Sequence, residues 1–414
     1  MPPVVHLAHD WLVGMRGGER VLDRLAQQFG PTTIYTLVND GRSLTTAIDA
    51  CTVRTSWLQQ WPGARSRLRR AYLPLMPLAV DRLRVQACDL LISTSSAVMK
   101  SIAAPNDVPH LCYCHSPARY VWEQRADYAH GRGGRVRSLG LRALSRRFQK
   151  WDVARAENVT HFLANSHHTA ERIMRVYGRA ADVVFPPVRT TFFTPDSSIE
   201  REDWYLAVGA LEPYKRMDLA IQAALQGGLR LKVVGSGSQA KSLQQMISVS
   251  DRNVVEMLGR VDDLELRDLM RRARALIHPQ QEDFGITAVE AQACGCPVIA
   301  YAGGGALDTV TDQTGVWFAS QDVDALQDAV ARFEREGRDS EACVAHAVRF
   351  SEYRFDEAMR ESAGGLLGIA LPATRADDAV TDAGSGRSLR PSSRDAAIIE
   401  TLPSQHEADV KLKV

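Results

Sequence analysis

Short apolar runs rich in β-branched residues recur along the chain, and most are separated by stretches whose apolar positions fall three and four apart. These are the periods of buried strands and of helices lying against them. In the first half, residues 4–8, 33–37, 90–93, 110–113, 161–165 and 182–185 predict strands, and residues 19–29 and 166–177 predict helices. The series stops at Phe185-Pro186-Pro187-Val188 and at the polar, acidic residues 194–203. It resumes with expected strands at 204–208, 229–234, 254–258, 275–279, 297–300 and 315–318. Strands alternating with helices predict parallel sheets covered on both faces. Two such halves of roughly 180 residues joined at a Pro-containing linker predict a cleft between them. Ligands in such sheets bind beyond the carboxyl ends of the strands, so the turns that follow strands carry the candidate chemistry.

Composition narrows this little. The chain has 414 residues, 45% apolar and 24% charged, which excludes a disordered or fibrous protein. Seven cysteines without C-x-x-C spacing are read as reduced, mostly buried side chains. The start MPPVVHLAHDW lacks the basic and apolar regions of a secretory signal. No apolar run approaches the ~18 residues of a membrane span, so the expectation is a cytoplasmic protein with at most peripheral membrane contact. After about residue 370 the sequence turns to Ser, Asp, Ala, Gly and Arg without periodicity, and residues 371–414 are expected to be a disordered tail.

Five turns stand out. In His278-Pro279-Gln280-Gln281-Glu282-Asp283-Phe284-Gly285-Ile286-Thr287-Ala288-Val289-Glu290 a strand ends, two carboxylates occupy a turn and a helix begins. The N–H groups from Phe284 to Thr287 lack intrahelical partners, a setting for a diphosphate, and Gly285 permits close approach. Glu290 is placed to accept from ribose hydroxyls and Glu282 from a sugar hydroxyl. An acidic capping turn before a core helix accounts for the same residues. YLAVGALEPYKRMD ends a strand and brings Lys215 and Arg216 to the start of a helix, where they could neutralise a diphosphate or simply be solvated. VVGSGSQA supplies Gly235 and Gly237, a weak dinucleotide-type turn with Glu256 about twenty residues on. In the first half, HDWLVGMRGGER enters a helix through Gly17 and Gly18, and LCYCHSPARYVW sets His115 directly after a strand.

Together these motifs resemble the retaining GT-B glycosyltransferases of family 4. EDFGITAVE is similar to their Glu-x7-Glu signature, GALEPYKR to the phosphate turn of their second domain and GMRGGER to their N-terminal glycine loop. HDWLVGMRGGER with YCHSPARYVWE most resembles bacterial mannosyltransferases of O-antigen and exopolysaccharide (xanthan and acetan type) assembly. The resemblance implies an α/β GT-B fold of two Rossmann-like α/β/α domains. Residues 1–190 would bind the acceptor and 191–350 the nucleotide sugar, with a helix at 351–370 returning toward the first domain. It implies His115, Glu282 and Lys215 as catalytic residues. Gly17, Gly18, Arg216, Gly235, Gly237, Arg260, Val261, Phe284, Gly285, Ile286, Thr287 and Glu290 would surround the donor, with Arg260 and Val261 in the loop that meets the base. Many family members carry Arg where this chain has Ala210, and Arg216 is expected to supply that cation. No cofactor or metal is expected; Asp322-Val323-Asp324 is read as solvated. The implied donor is GDP-mannose, with a UDP-sugar as the alternative, and the implied acceptor is a lipid-linked oligosaccharide.

The formal charge of +1 conceals an asymmetry. Residues 1–189 hold 26 Lys/Arg against 14 Asp/Glu, a balance of +12, and the remainder is −11. From Arg54 to Arg84 seven arginines are interleaved with Trp57, Trp61 and Tyr72 against one acid, Asp81, and residues 132–150 are again basic. Such a mixture suits an anionic membrane surface, although solvated arginine-rich helices account for it too. No nucleic-acid motif accompanies it, and oligomeric state is not legible. A nicotinamide oxidoreductase built on GSGSQA would leave Glu282, Glu290 and Lys215 without a common purpose. A non-catalytic sugar-nucleotide-binding protein of the same fold is a further reading, motivated by Ala210.

Overall fold

A computed structural model of the chain describes residues 2–66, 72–122 and 135–372. The Arg67, Arg69 and Arg70 part of the basic segment, the start of the 132–150 cluster and the tail beyond 372 lie outside the described residues.

Among the described residues, thirteen strands form two parallel sheets. The first contains β1 (Val5–His9), β2 (Thr33–Thr36), β3 (Thr52–Thr55), β4 (Leu90–Ser95), β5 (His110–Cys114), β6 (His161–Ala164) and β7 (Ala181–Val183), in the order β3-β2-β1-β4-β5-β6-β7. The second contains β8 (Tyr205–Val208), β9 (Leu231–Val234), β10 (Val255–Gly259), β11 (Leu276–His278), β12 (Val298–Tyr301) and β13 (Gly315–Phe318), in the order β10-β9-β8-β11-β12-β13. Both are doubly wound, as the strand–helix alternation predicts. In each sheet the strand order reverses at one place: between β1 and β4 in the first, between β8 and β11 in the second. Ligand sites of open α/β sheets form at such switch points.

Central strands are buried throughout, as β1, β4 and β5 show with every residue covered. Each sheet has a core on both faces. The edge strand β3 was not expected; its residues alternate exposed and half-buried, so TVRT carries no apolar run. The helix Glu352–Leu367 buries Phe355, Met359 and Ala363 against the first sheet with Val5, Leu7 and Leu22. Asp356, fully buried, pairs with Arg24.

Two buried carboxylates fix the turns of the first sheet. Asp10, just past β1, accepts backbone N–H groups of Ser96, Ala97, Val98 and Met99 at 2.7–3.0 Å, locking the end of β1 to the end of β4. Asp152 accepts from Lys100 at 2.5 Å and from Trp122 Nε1 and Tyr177 Oη at 2.9 Å each. A buried pair of this kind is tolerated because its remaining lone pairs are hydrogen-bonded, and it anchors the segment that runs on from His115.

Candidate active site

The turns at the two switch points face each other. A Cβ added at Gly17 would lie 3.2 Å from Ile286 Cδ1, so the first-half glycine turn abuts the start of the Ile286–Ala293 helix. That helix is capped by Gly285 at φ 93°, with no side-chain cap and no acid in its first turn. Its leading N–H groups are therefore unneutralised, as an anion cradle requires.

On the first-half side, Gly18 lies beneath two imidazoles. Its Cβ would meet His9 Cε1 at 3.3 Å and His115 Nε2 at 3.5 Å. His9 is buried and shares a 2.5 Å hydrogen bond between Nδ1 and Thr94 Oγ1, and its Nε2 lies 4.0 Å from the buried carboxylate of Glu19. His115 packs edge-on against Tyr113 at 5.2 Å, and its buried Nε2 has no hydrogen-bond partner among the described residues. Burial, reinforced by His9, pushes the His115 imidazole down to about 4, so it is neutral at physiological pH and able to offer an N–H or a lone pair.

Across from it, Lys215 Nζ pairs with Glu282 Oε1, and Gln280 Nε2 donates to the same oxygen at 3.0 Å. Gln280 in turn contacts His278 Nδ1 at 3.0 Å. Burial alone would raise the Glu282 carboxyl, but the Lys215 ammonium, His278 and the Gln280 amide outweigh it and hold it at about 2. Burial pushes His278 down to about 4, leaving a neutral ring whose Nε2 would touch a Cβ at Gly285 at 3.3 Å. The turn is braced from behind by Gly303-Gly304-Gly305 after β12. Gly305 N donates to Glu282 O at 2.8 Å, and a side chain at Gly304 or Gly305 would collide with the backbone of Glu282 or of Asp283 and Phe284. Phe284 points away from the cleft into an aromatic cluster with Phe185 and Phe350 at 5.8 and 5.6 Å. Only its backbone is free to face a donor.

Other candidates sit differently from the sequence expectation. Lys215 ends a short 3-10 turn, Pro213–Lys215, and Arg216 caps the helix Met217–Gly227 in the left-handed region at φ 50°. Arg216 turns its guanidinium to Asp218 and to the Gln321 carbonyl, at 3.4 and 3.3 Å. Gly235 and Gly237 are explained by packing: a Cβ at either would fall inside the backbone of Gly209 or Leu211. Leu211 N donates to Ser236 O at 3.0 Å and Gln239 N to Leu211 O at 2.9 Å, binding the two turns together. Glu256 is exposed on the edge strand β10. Arg260 and Val261 follow β10; Arg260 is exposed, Val261 packs toward the second-sheet core, and both stand outside the ion-pair network of the cleft. Thr287, in the first turn of the helix that Gly285 caps, is half-buried.

Two ion pairs and one histidine–carboxylate contact between the cleft walls go beyond the sequence reading. Arg20 donates to Glu290 Oε1 at 3.0 Å, buried Arg172 to Asp283 Oδ1 at 2.6 Å, and His167 Nδ1 lies 2.6 Å from Asp308 Oδ1. Two of them hold acids of the EDFGITAVE segment. The signal for Arg20 was its place three residues after Gly17 on a first turn already read as cleft-facing; Arg172 and His167 carried none.

The comparisons with known proteins bear on this geometry. Residues 189–350 match the glycosyl transferases group 1 model. The match covers the second sheet with Lys215, Glu282 and Glu290 and leaves the first sheet outside it. The D-inositol 3-phosphate glycosyltransferase of Mycobacteroides abscessus is 31% identical over 220 residues, covering 47% of this chain and 49% of that protein. The chain thus spans about half the length of the curated relatives it matches. Among solved structures, sucrose-phosphate synthase from Thermosynechococcus elongatus aligns over 88% of this chain and 99% of its own, with a TM-score of 0.68 and 17% identity. Anabaena HepE, solved in complex with UDP and glucose, aligns over 87% and 99%, with a TM-score of 0.63 and 17% identity. The two-sheet architecture is the GT-B fold expected from the motifs. D-inositol 3-phosphate glycosyltransferases of Acidothermus cellulolyticus and Kribbella flavida match at 30% and 31% identity, so the narrower resemblance to O-antigen mannosyltransferases rests on the sequence motifs alone.

Proposed function

We propose that the protein is a retaining glycosyltransferase that moves a sugar from a nucleotide diphosphate to an acceptor hydroxyl. The observation that carries this reading is the meeting of the Gly17-Gly18 turn with the Ile286–Ala293 helix start, flanked by Lys215–Glu282 on one side and Arg20–Glu290 on the other. The demanding event is departure of a diphosphate from an oxocarbenium-like carbon, and fixed charges and dipoles aimed at that leaving group contribute most to such a step. The helix N–H groups and the Lys215 ammonium supply them. With a donor bound, the diphosphate competes with Glu282 for Lys215, and the ionised Glu282 carboxylate turns to a sugar hydroxyl. Neutral His115 lies under the sugar as a hydrogen-bonding group, and the departing phosphate oxygen takes the acceptor proton.

GDP-mannose is the proposed donor from the resemblance of the first-half motifs, and a lipid-linked oligosaccharide the proposed acceptor. The UDP and glucose bound in HepE favour a second reading, a UDP-sugar donor in the same site. Among the described residues no helix is long and apolar enough to cross a membrane. Membrane contact is proposed as peripheral, on the cytoplasmic side, through the basic and aromatic segment 54–84, on the resemblance and its composition. There Trp61 is exposed and stacks edge-on with Trp57 and Tyr72 at 5.3 and 5.4 Å. Thermal-shift screening against GDP-mannose, UDP-glucose, UDP-galactose and UDP-N-acetylglucosamine tests the donor; a shift with none of them, together with no donor hydrolysis, rejects the activity. Sedimentation with phosphatidylserine vesicles at low salt tests the membrane face, and failure to bind rejects it.

A further inference from the structure

We propose that Arg20, delivered from the first domain, is a positioning residue for Glu290 and makes the enzyme discriminate ribonucleotides from 2′-deoxyribonucleotides. The inference rests on the donor reading above, in which Glu290 receives the ribose.

Glu290 is 5% exposed on the second turn of the Ile286–Ala293 helix. Arg20 reaches it across the domain boundary and engages Oε1 alone, at 3.0 Å, which leaves Oε2 as an acceptor for ribose hydroxyls. The Arg20 side chain is 31% exposed, against 7% for Glu290, and borders a cavity of about 260 Å³ lined also by Met15, Asp23, Arg24, Arg189 and Asp263. The arginine therefore has room to pivot while its carboxylate partner does not. Gly17 touching Ile286 keeps the helix that bears Arg20 against the helix that bears Glu290, so the pair is made only when the two domains are together.

Holding Glu290 has an electrostatic consequence. Burial pushes the carboxyl up, Arg20 by charge and hydrogen bond and Arg189 by charge oppose it, and Asp263 adds to the rise; Cys294, four residues on, also feels the Glu290 charge. A raised folded value means that the carboxylate is lost first as the pH falls. Without Arg20 the rise is less opposed, so Glu290 becomes protonated at a higher pH and turns into a poor acceptor for two hydroxyls. Ribose recognition in a variant lacking Arg20 is therefore weakened most at low pH and recovers as pH increases, whereas a purely structural role would weaken all nucleotides at every pH alike.

The test titrates the full-length protein and its Arg20→Ala and Arg20→Lys variants by calorimetry with UDP, 2′-deoxy-UDP, GDP and 2′-deoxy-GDP at pH 6 and pH 8. For the wild type the ribonucleotide that binds is expected to be preferred about tenfold over its 2′-deoxy form, the worth of one hydrogen bond to a charged group. Arg20→Ala is expected to bring that ratio to about two or less at pH 6 and to recover part of it at pH 8, with Arg20→Lys in between. A ribo/deoxy ratio in Arg20→Ala equal to wild type at both pH values overturns the inference. If wild type binds neither UDP nor GDP, the donor reading itself falls and the inference with it; binding with an unchanged ratio removes the inference alone. Melting temperatures report whether Arg20→Ala folds, and Arg20→Lys carries the test if it does not.

Discussion

At the residue scale the site is a set of paired charges waiting for a ligand to re-partner them. Glu282 stays ionised down to about pH 2, because Lys215, His278 and Gln280 stabilise its charge more than burial opposes it. Glu282→Ala is expected to lower turnover at least a hundredfold while the chain still folds, with a lower melting temperature because Lys215 loses its partner. Lys215→Ala should raise donor KM and lower kcat together if, as proposed, the ammonium faces the diphosphate in both the bound state and the transition state. Steady-state kinetics on the donor identified by thermal shift check both, and wild-type turnover in either variant removes that residue's role. Both residues were readable in sequence as charges in turns after strands. What was not readable is that they hold one another, or that Arg20 and Arg172 hold Glu290 and Asp283. Partners 67, 270 and 111 positions apart are joined only by the closure of two sheets, and no local pattern records that.

At the scale of elements, apolar runs located twelve of the thirteen strands among the described residues, the central ones because a strand buried on both faces must be apolar along its whole length. The Thr52–Thr55 edge strand is half-solvated and escapes that rule. Glycines were harder to interpret. Gly235 and Gly237 were read as facing a nucleotide, but the space of their missing side chains is filled by the Gly209–Leu211 backbone, which accounts for them without a ligand. The run Gly303-Gly304-Gly305, not singled out from the sequence, braces the Glu282 turn by the same kind of close approach. This difference is measurable. Gly235 has φ 149° with the Gly209 carbonyl in its Cβ position, while Gly337 has φ 64° with nothing within 4 Å. Gly235→Ala should therefore cost about 3 kcal/mol from strain and overpacking combined, and Gly337→Ala only about 1 kcal/mol from backbone strain. Urea unfolding of the two variants gives the comparison, and equal losses would show that the two turns are not in fact packed against each other.

For the whole molecule, the +12 and −11 halves meet across a boundary stitched by Arg20–Glu290, Arg172–Asp283 and His167–Asp308, so the near-neutral total conceals two oppositely charged halves. Acid acts on this assembly through its interior. His110, His115, His278 and His346 are each pushed by burial to about 4, whereas an unfolded histidine takes its proton near 6.5. Between those values the unfolded chain binds more protons than the folded one, so stability is complete above about pH 6.5 and falls as the pH drops toward 4. Glu282, held at about 2, adds a loss of the same sign only lower, as pH falls from the ordinary carboxylate range toward 2. Two of these histidines, His115 and His278, line the opposing walls of the cleft. Melting temperature is therefore expected to decline from pH 7 to pH 5, and the double variant His110→Asn with His346→Asn should decline less steeply than wild type over that interval. A melting temperature constant from pH 7 to pH 5 would mean that these imidazoles are not buried neutral, and with that the description of His115 as an uncharged hydrogen-bonding group in the cleft would fail.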